Sequence, residues 1–104
     1  MEQLYREAAF LRSEANADRS REKVTVASGN QLYAGAICKT SSGKKVPYDG
    51  TGTADSVLLT HANAADGDVE VTAIVRDAEV IDEMLYNKNS GYAADLRNRG
   101  IVLR

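Results

Sequence analysis

The feature that most constrains this chain is the alternation from Val69 to Arg76. Val69, Val71, Ala73 and Val75 fall on one side of an extended chain, and Glu70, Thr72, Ile74 and Arg76 on the other. A period of two belongs to a β-strand with one face on a core, because successive side chains of a strand point to opposite sides. A second apolar segment, Val57-Leu58-Leu59, precedes it. Between the two lies a small, turn-forming insert, Asn63-Ala64-Ala65-Asp66-Gly67-Asp68. Its Asp-Gly pair favours a tight reversal, since glycine takes positive φ at little cost. The centre of the chain is therefore expected to be a strand-turn-strand unit that carries no evident chemistry.

The flanks extend this β reading. Strands are expected at Val24–Val26, Tyr33–Lys39 and Lys44–Tyr48, with turns at Ser28-Gly29-Asn30 and Thr40-Ser41-Ser42-Gly43. Gly35, inside the second strand, marks a bulge or a close backbone approach, and Pro47, lacking an N–H, places the third at an edge. Asp49 to Asp55 is a loop rich in Gly and Thr. Beyond Arg76 the period lengthens. Val80, Ile81, Met84 and Leu85 share a helical face, which predicts a short helix over 80–86. Ala93 and Leu96 sit on a second short helix with Gly100 as its C-terminal cap. Ile101-Val102-Leu103 reads as a closing strand. The expected class is mainly β: a small barrel-like domain with two short C-terminal helices.

Residues 1–22 have another texture. Charges of both signs crowd them (Glu2, Arg6, Glu7, Arg12, Glu14, Asp18, Arg19, Arg21 and Glu22), while large apolar residues are few. Leu4, Ala8, Leu11 and Ala15 have helical spacing, but two of the four are alanine, and so short an isolated helix is marginal in water. The division expected is an extended N-terminal arm over 1–22, ordered against a partner, and a β-rich body over 23–104. A helix packed on its own domain is the alternative.

Composition bounds the rest. A chain of 104 residues is one domain at most, and a core that small gains from oligomerisation. The net charge of −2 argues against non-specific nucleic-acid binding, which rests on cations neutralising phosphates. The single cysteine, Cys38, forbids an internal disulfide and suits a reducing cytoplasm. No apolar run approaches the ~18 residues that span a bilayer, and a secretory leader is not expected.

Candidate chemistry is sparse. Cys38 and the only histidine, His61, form a conceivable nucleophile–base pair. However, Cys38 lies in an apolar strand beside Ile37, where an inert buried thiol is the rule, and His61 reads as an exposed or hydrogen-bonded residue at a strand end. Asp49, Asp55, Asp66 and Asp68 lack the order of a calcium loop. Ser42-Gly43-Lys44-Lys45 and Gly50-Thr51-Gly52 are incomplete as phosphate or dinucleotide loops. Lys39, Lys44 and Lys45 cluster on a predicted hairpin, either as a solvated edge or as a site for an acidic protein. No cofactor, metal or enzymatic activity is expected. A small β-barrel module for nucleic acid or carbohydrate is the alternative function, disfavoured by few aromatics.

The order of several short segments resembles the bacteriophage head decoration protein family. These are Phe10-Leu11-Arg12-Ser13-Glu14-Ala15-Asn16, Ser20 to Val26, Leu32-Tyr33-Ala34-Gly35, Val46-Pro47-Tyr48-Asp49, Ala65-Asp66-Gly67-Asp68, Val75 to Val80, and Leu96 to Arg104. Many members begin with Gly-Ile-Leu the segment written here Val57-Leu58-Leu59. The resemblance implies a β-clip or barrel-like fold and a homotrimer at three-fold and quasi-three-fold sites of the expanded head. It implies a cement role on the outer capsid surface, against the pressure of packaged DNA, in particles assembled in the bacterial cytoplasm. The partners implied are the major capsid protein and the chain itself, without direct nucleic-acid or membrane contact. The arm supplies the candidate capsid contacts: Leu4, Tyr5, Phe10 and Leu11 as apolar anchors, and Arg6, Arg12, Arg19 and Arg21 as polar ones.

Overall fold

The computed structural model of the chain describes residues 20–104 in full and residues 11–14 by their backbone. Its strands, in chain order, are β1 Leu11–Glu14, β2 Arg21–Val26, β3 Asn30–Leu32, β4 Ile37–Ser41, β5 Lys44–Pro47, β6 Ser56–Leu58, β7 Ala62–Ala64, β8 Val69–Ile74, β9 Ala78–Val80 and β10 Ile101–Leu103. A 3-10 turn, Asp82–Met84, and a helix, α1 Tyr92–Arg97, lie between β9 and β10. Five strands close a small barrel in the order β2-β5-β4-β6-β8. A separate sheet runs β1-β9-β10, and β3 pairs with β7 as a ribbon. The mainly β, barrel-like class expected from the sequence is the one found.

The central strand-turn-strand unit exists, with a longer excursion than its sequence announces. β6 and β8 pair antiparallel, Val57 opposite Ile74 and Leu58 opposite Ala73. The insert between them does not simply reverse. Its first residues form β7, which leaves to pair with β3. Gly67 is not among the positive-φ glycines. The bend is closed instead by the Gly67 N–H on the Ala64 carbonyl (3.4 Å) and the Ala65 N–H on the Asn63 side-chain oxygen (3.3 Å). The Asp66-Gly67 pair thus lies in the bend as expected, but without the positive φ expected of its glycine. By contrast, the β4–β5 hairpin turns on Ser42 (φ 53°) and Gly43 (φ 79°), the two positive φ values that a type I′ turn requires.

At its C-terminal end β8 is buried on both faces, not one, whereas Glu70 near its start is exposed. Ile74 is fully buried in a first core with Ile37, Val57 and Leu59, while Ala73 and Val75 belong to a second with Val24, Val26, Cys38 and Leu58. Neighbouring residues of β4, β6 and β8 therefore alternate between cores. The first core also takes in Ala78, Val80, Leu96 and Ile101, so it joins the barrel to the β1-β9-β10 sheet and α1. The second uses small side chains, Ala73 of β8, Ala62 and Ala64 of β7, and Ala36 just before β4. Burying Ile74 is worth about 1.5–3 kcal/mol, which is why a residue on the supposed outer side of β8 becomes a core residue once a second layer covers it.

Two further expectations change. The strand expected over Tyr33–Lys39 is split, because β3 ends at Leu32 and β4 begins at Ile37. Gly35 (φ +95°) sits in the gap, and a Cβ there would lie 2.7 Å from the Met84 carbonyl oxygen. Close backbone approach, not a bulge, explains the glycine. The first of the two expected helices is only the 3-10 turn. Val80 is held in β9 by both β1 and β10, and Tyr86 exchanges backbone bonds with Gly35 and Ile37 (3.2 and 3.3 Å). Extended pairing claims both ends of the segment and leaves room for one turn. α1 is the α-helix that lies wholly within the described residues, and Gly100 follows it at φ +79°. β5, with Pro47, has a second strand neighbour only where Lys45 meets Val26, close to the edge position expected.

Candidate functional site

The hairpin lysines and the loop aspartates account for one another. Lys39 pairs with Asp49 (2.8 Å), Lys44 with Asp68 (2.6 Å) and Lys45 with Asp55 (2.9 Å). The sequence reading missed this, because the partners lie 10 to 24 positions apart and meet only when the barrel closes. Lys39 and Thr51 hydrogen-bond Asp49 and hold its carboxyl far below the usual range. Lys44 and the Ser28 N–H lower that of Asp68. Asp55 is 7% exposed and also accepts from Thr40 (2.6 Å) and Ser56 (3.0 Å). Three carboxylates weighed as calcium ligands are thus ion-pair partners, and the basic cluster is neutralised pair by pair. Among the described residues no group of three or more His, Cys, Asp or Glu is placed to hold a metal ion.

Cys38 is fully buried. Burial pushes its thiol up to about 12, with Asp55 adding to the rise and Lys45 opposing it. A thiol so placed is a poor nucleophile at neutral pH. His61 stands immediately before β7, as expected for a strand-end residue. Its Nδ1 accepts the Ala34 N–H (3.0 Å), and its ring meets Tyr33 edge to face at 5.7 Å. The Tyr86 hydroxyl accepts the Tyr33 N–H and donates to the Tyr33 carbonyl (3.1 Å). This knot fixes the β3–β4 connection; it does not assemble a nucleophile and a base. Elsewhere, the Tyr92 hydroxyl donates to Asp82 (2.8 Å), and burial together with that carboxylate raises its pKa.

Of the residues expected to contact a partner, Leu11 and Arg12 lie in β1, whose backbone pairs with β9. Arg21 opens β2 opposite Ile74. Leu4, Tyr5, Arg6, Phe10 and Arg19 lie outside the described residues. Among the described residues, paired structure includes Leu11–Glu14, inside the segment assigned to the arm. On the described surface only Tyr33 (44%) and Val102 (37%) expose large apolar side chains. An aromatic platform of the kind that stacks bases is not present on that surface.

The described residues thus form a barrel fused to a small mixed sheet, with Lys39, Lys44 and Lys45 paired to aspartates and Cys38 buried. The family model for bacteriophage lambda head decoration protein D matches residues 1–101. The chain belongs to that family. A search of curated proteins finds no match. Membership makes the chain a phage head decoration protein, a structural component associated with the capsid. The family match spans the N-terminal segment as well as the barrel, so the candidate contact residues at both its ends, from Leu4 to Arg21, fall within it.

Proposed function

We propose that this decoration protein acts as a homotrimer that clamps neighbouring capsomers at three-fold and quasi-three-fold sites on the outside of the expanded head, stabilising it against internal DNA pressure. The observation that carries this reading is the family match over residues 1–101. Two exposed large apolar side chains among the described residues are few for a tight protein contact, whose centre is usually aromatic and apolar. Leu4, Tyr5, Phe10 and Leu11 are therefore proposed as anchors on the major capsid protein, with Arg6, Arg12, Arg19 and Arg21 as polar contacts. Each segment loses entropy on docking, but three on one trimer raise the effective concentration of the second and third contacts.

Because β1 is paired to β9, the informative truncation removes residues 1–10 and leaves the paired strands intact. The truncated protein is expected to remain a trimer by light scattering and to lose most of its co-sedimentation with expanded empty heads. Saturation of heads at the concentration the full chain needs would overturn the assignment of the grip to this segment.

A further inference from the structure

We propose that Asp66 is a site of spontaneous isoaspartate formation in the folded protein, a modification from which the fold protects the other Asp-Gly sequence, Asp49-Gly50. Of the four aspartates weighed above as cation ligands, Asp49, Asp55 and Asp68 are tied to lysines. Asp66 is exposed, and among the described residues its carboxyl has no hydrogen bond or ion pair. The glycine after it is unhindered, since a Cβ on Gly67 would meet nothing within 4 Å. The Gly67 N–H reaches the Ala64 carbonyl at 3.4 Å, a long and therefore weak bond. A free carboxyl thus stands next to an amide nitrogen that no side chain shields.

The step needs no oxidant or co-reactant. The Gly67 nitrogen gives up its proton and bonds to Cγ of the protonated Asp66 carboxyl, whose hydroxyl leaves as water, and a five-membered succinimide closes. Water then opens the ring. Attack at Cγ restores aspartate. Attack at the main-chain carbonyl carbon leaves the chain running through Cβ and Cγ, with the α-carboxylate as a side group. The water lost is regained, so the product has the same mass and one extra main-chain carbon. That carbon enters two residues before Asp68, whose carboxylate ties the bend to the Ser28 N–H (2.8 Å) and to Lys44 (2.6 Å). The modification therefore strikes the link between this bend and the β4–β5 hairpin.

Asp49-Gly50 differs on each count. Lys39 and Thr51 donate to the Asp49 carboxylate (2.8 and 2.7 Å) and keep it ionised, the form that an amide nitrogen does not attack. Gly50 is held at φ +91°, where a Cβ would lie 3.3 Å from the Asn89 Cβ, so its backbone is fixed against a neighbouring loop.

The test ages the full chain at neutral pH, beside a sample kept unfolded in guanidinium chloride, until the unfolded sample shows isoaspartate at both sequences. Methyl transfer by a protein-isoaspartate methyltransferase counts the product, and electron-transfer fragmentation of peptides places it. In the unfolded chain the two sequences are expected to react alike. In the folded protein residue 66 is expected to lead residue 49 by about tenfold, the change in protonated fraction that one pKa unit brings. Asp66→Glu, whose ring closure is six-membered and slower, should melt like the wild type and show no product at residue 66. Equal yields at residues 49 and 66 of the folded protein overturn the proposal. So does an unmodified residue 66 in the aged folded protein, or a signal there that persists in Asp66→Glu.

Discussion

At the scale of single residues, the positions that matter most are those where backbone or burial leaves no choice. Gly35 has φ +95°, and any Cβ would meet the Met84 carbonyl oxygen at 2.7 Å. That oxygen belongs to the 3-10 turn and cannot swing aside like a side chain. Gly35→Ala is expected to cost ~2–4 kcal/mol, combining left-handed strain with displacement of the turn; urea denaturation measures it, and a loss under ~1 kcal/mol would contradict the close approach. Cys38 supplies a second check. With its thiol raised to about 12 by burial, labelling by a thiol reagent at pH 7.5 should track global unfolding across a denaturant series. Rapid labelling of the native protein would show the barrel interior to be accessible.

At the scale of elements, the barrel depends on how β5 is held. Its second-side pairing is one residue pair, Lys45 with Val26, supplemented by the Ala27 N–H on the Lys45 carbonyl (3.0 Å). The Lys45 side chain reaches back to Asp55 and Thr40 (2.9 and 2.8 Å). Side-chain exposures of 15% and 10% for Lys45 and Asp55 put the pair largely out of water. Removing one partner of such a pair strands the other charge, and the loss exceeds the net value of the pair itself. Lys45→Met is expected to cost ~2–4 kcal/mol, and Lys45→Met with Asp55→Leu to recover at least half of that. A double-mutant cycle in urea gives the coupling. If the two single losses simply add, the pair does not lock the seam.

At the scale of the whole molecule, acid is the revealing perturbation. Asp49 and Asp68 both have carboxyls held below the usual range by lysine and hydrogen-bond partners. A carboxyl depressed on folding adds stability above its unfolded pKa, near 4, and that stability is lost as pH falls through the folded value. The melting temperature should therefore decline below about pH 4, and Asp68→Asn should flatten the decline. Both groups are exposed, so the effect is modest and shrinks in high salt. A melting temperature unchanged from pH 6 to pH 2 would show that these pairs contribute nothing.

The sequence by itself determined the class of this fold and much of its inventory. The period of two from Val69 to Arg76, the turn residues at 28–30 and 40–43 and the inert setting of Cys38 are all local signals. Steric and solvation rules act on them within a few residues. The order of its short segments likewise pointed to the decoration family. Only the tertiary structure decided which strands meet. It buried Ile74 on the second face of β8, sent β7 to β3, reduced a predicted helix to one turn between two ladders, and matched Lys39, Lys44 and Lys45 with Asp49, Asp68 and Asp55. Each of these outcomes rests on which groups far apart in the chain share a layer. A periodic pattern records that a face is apolar or a charge is present, but the neighbour that covers the face or neutralises the charge is set by topology.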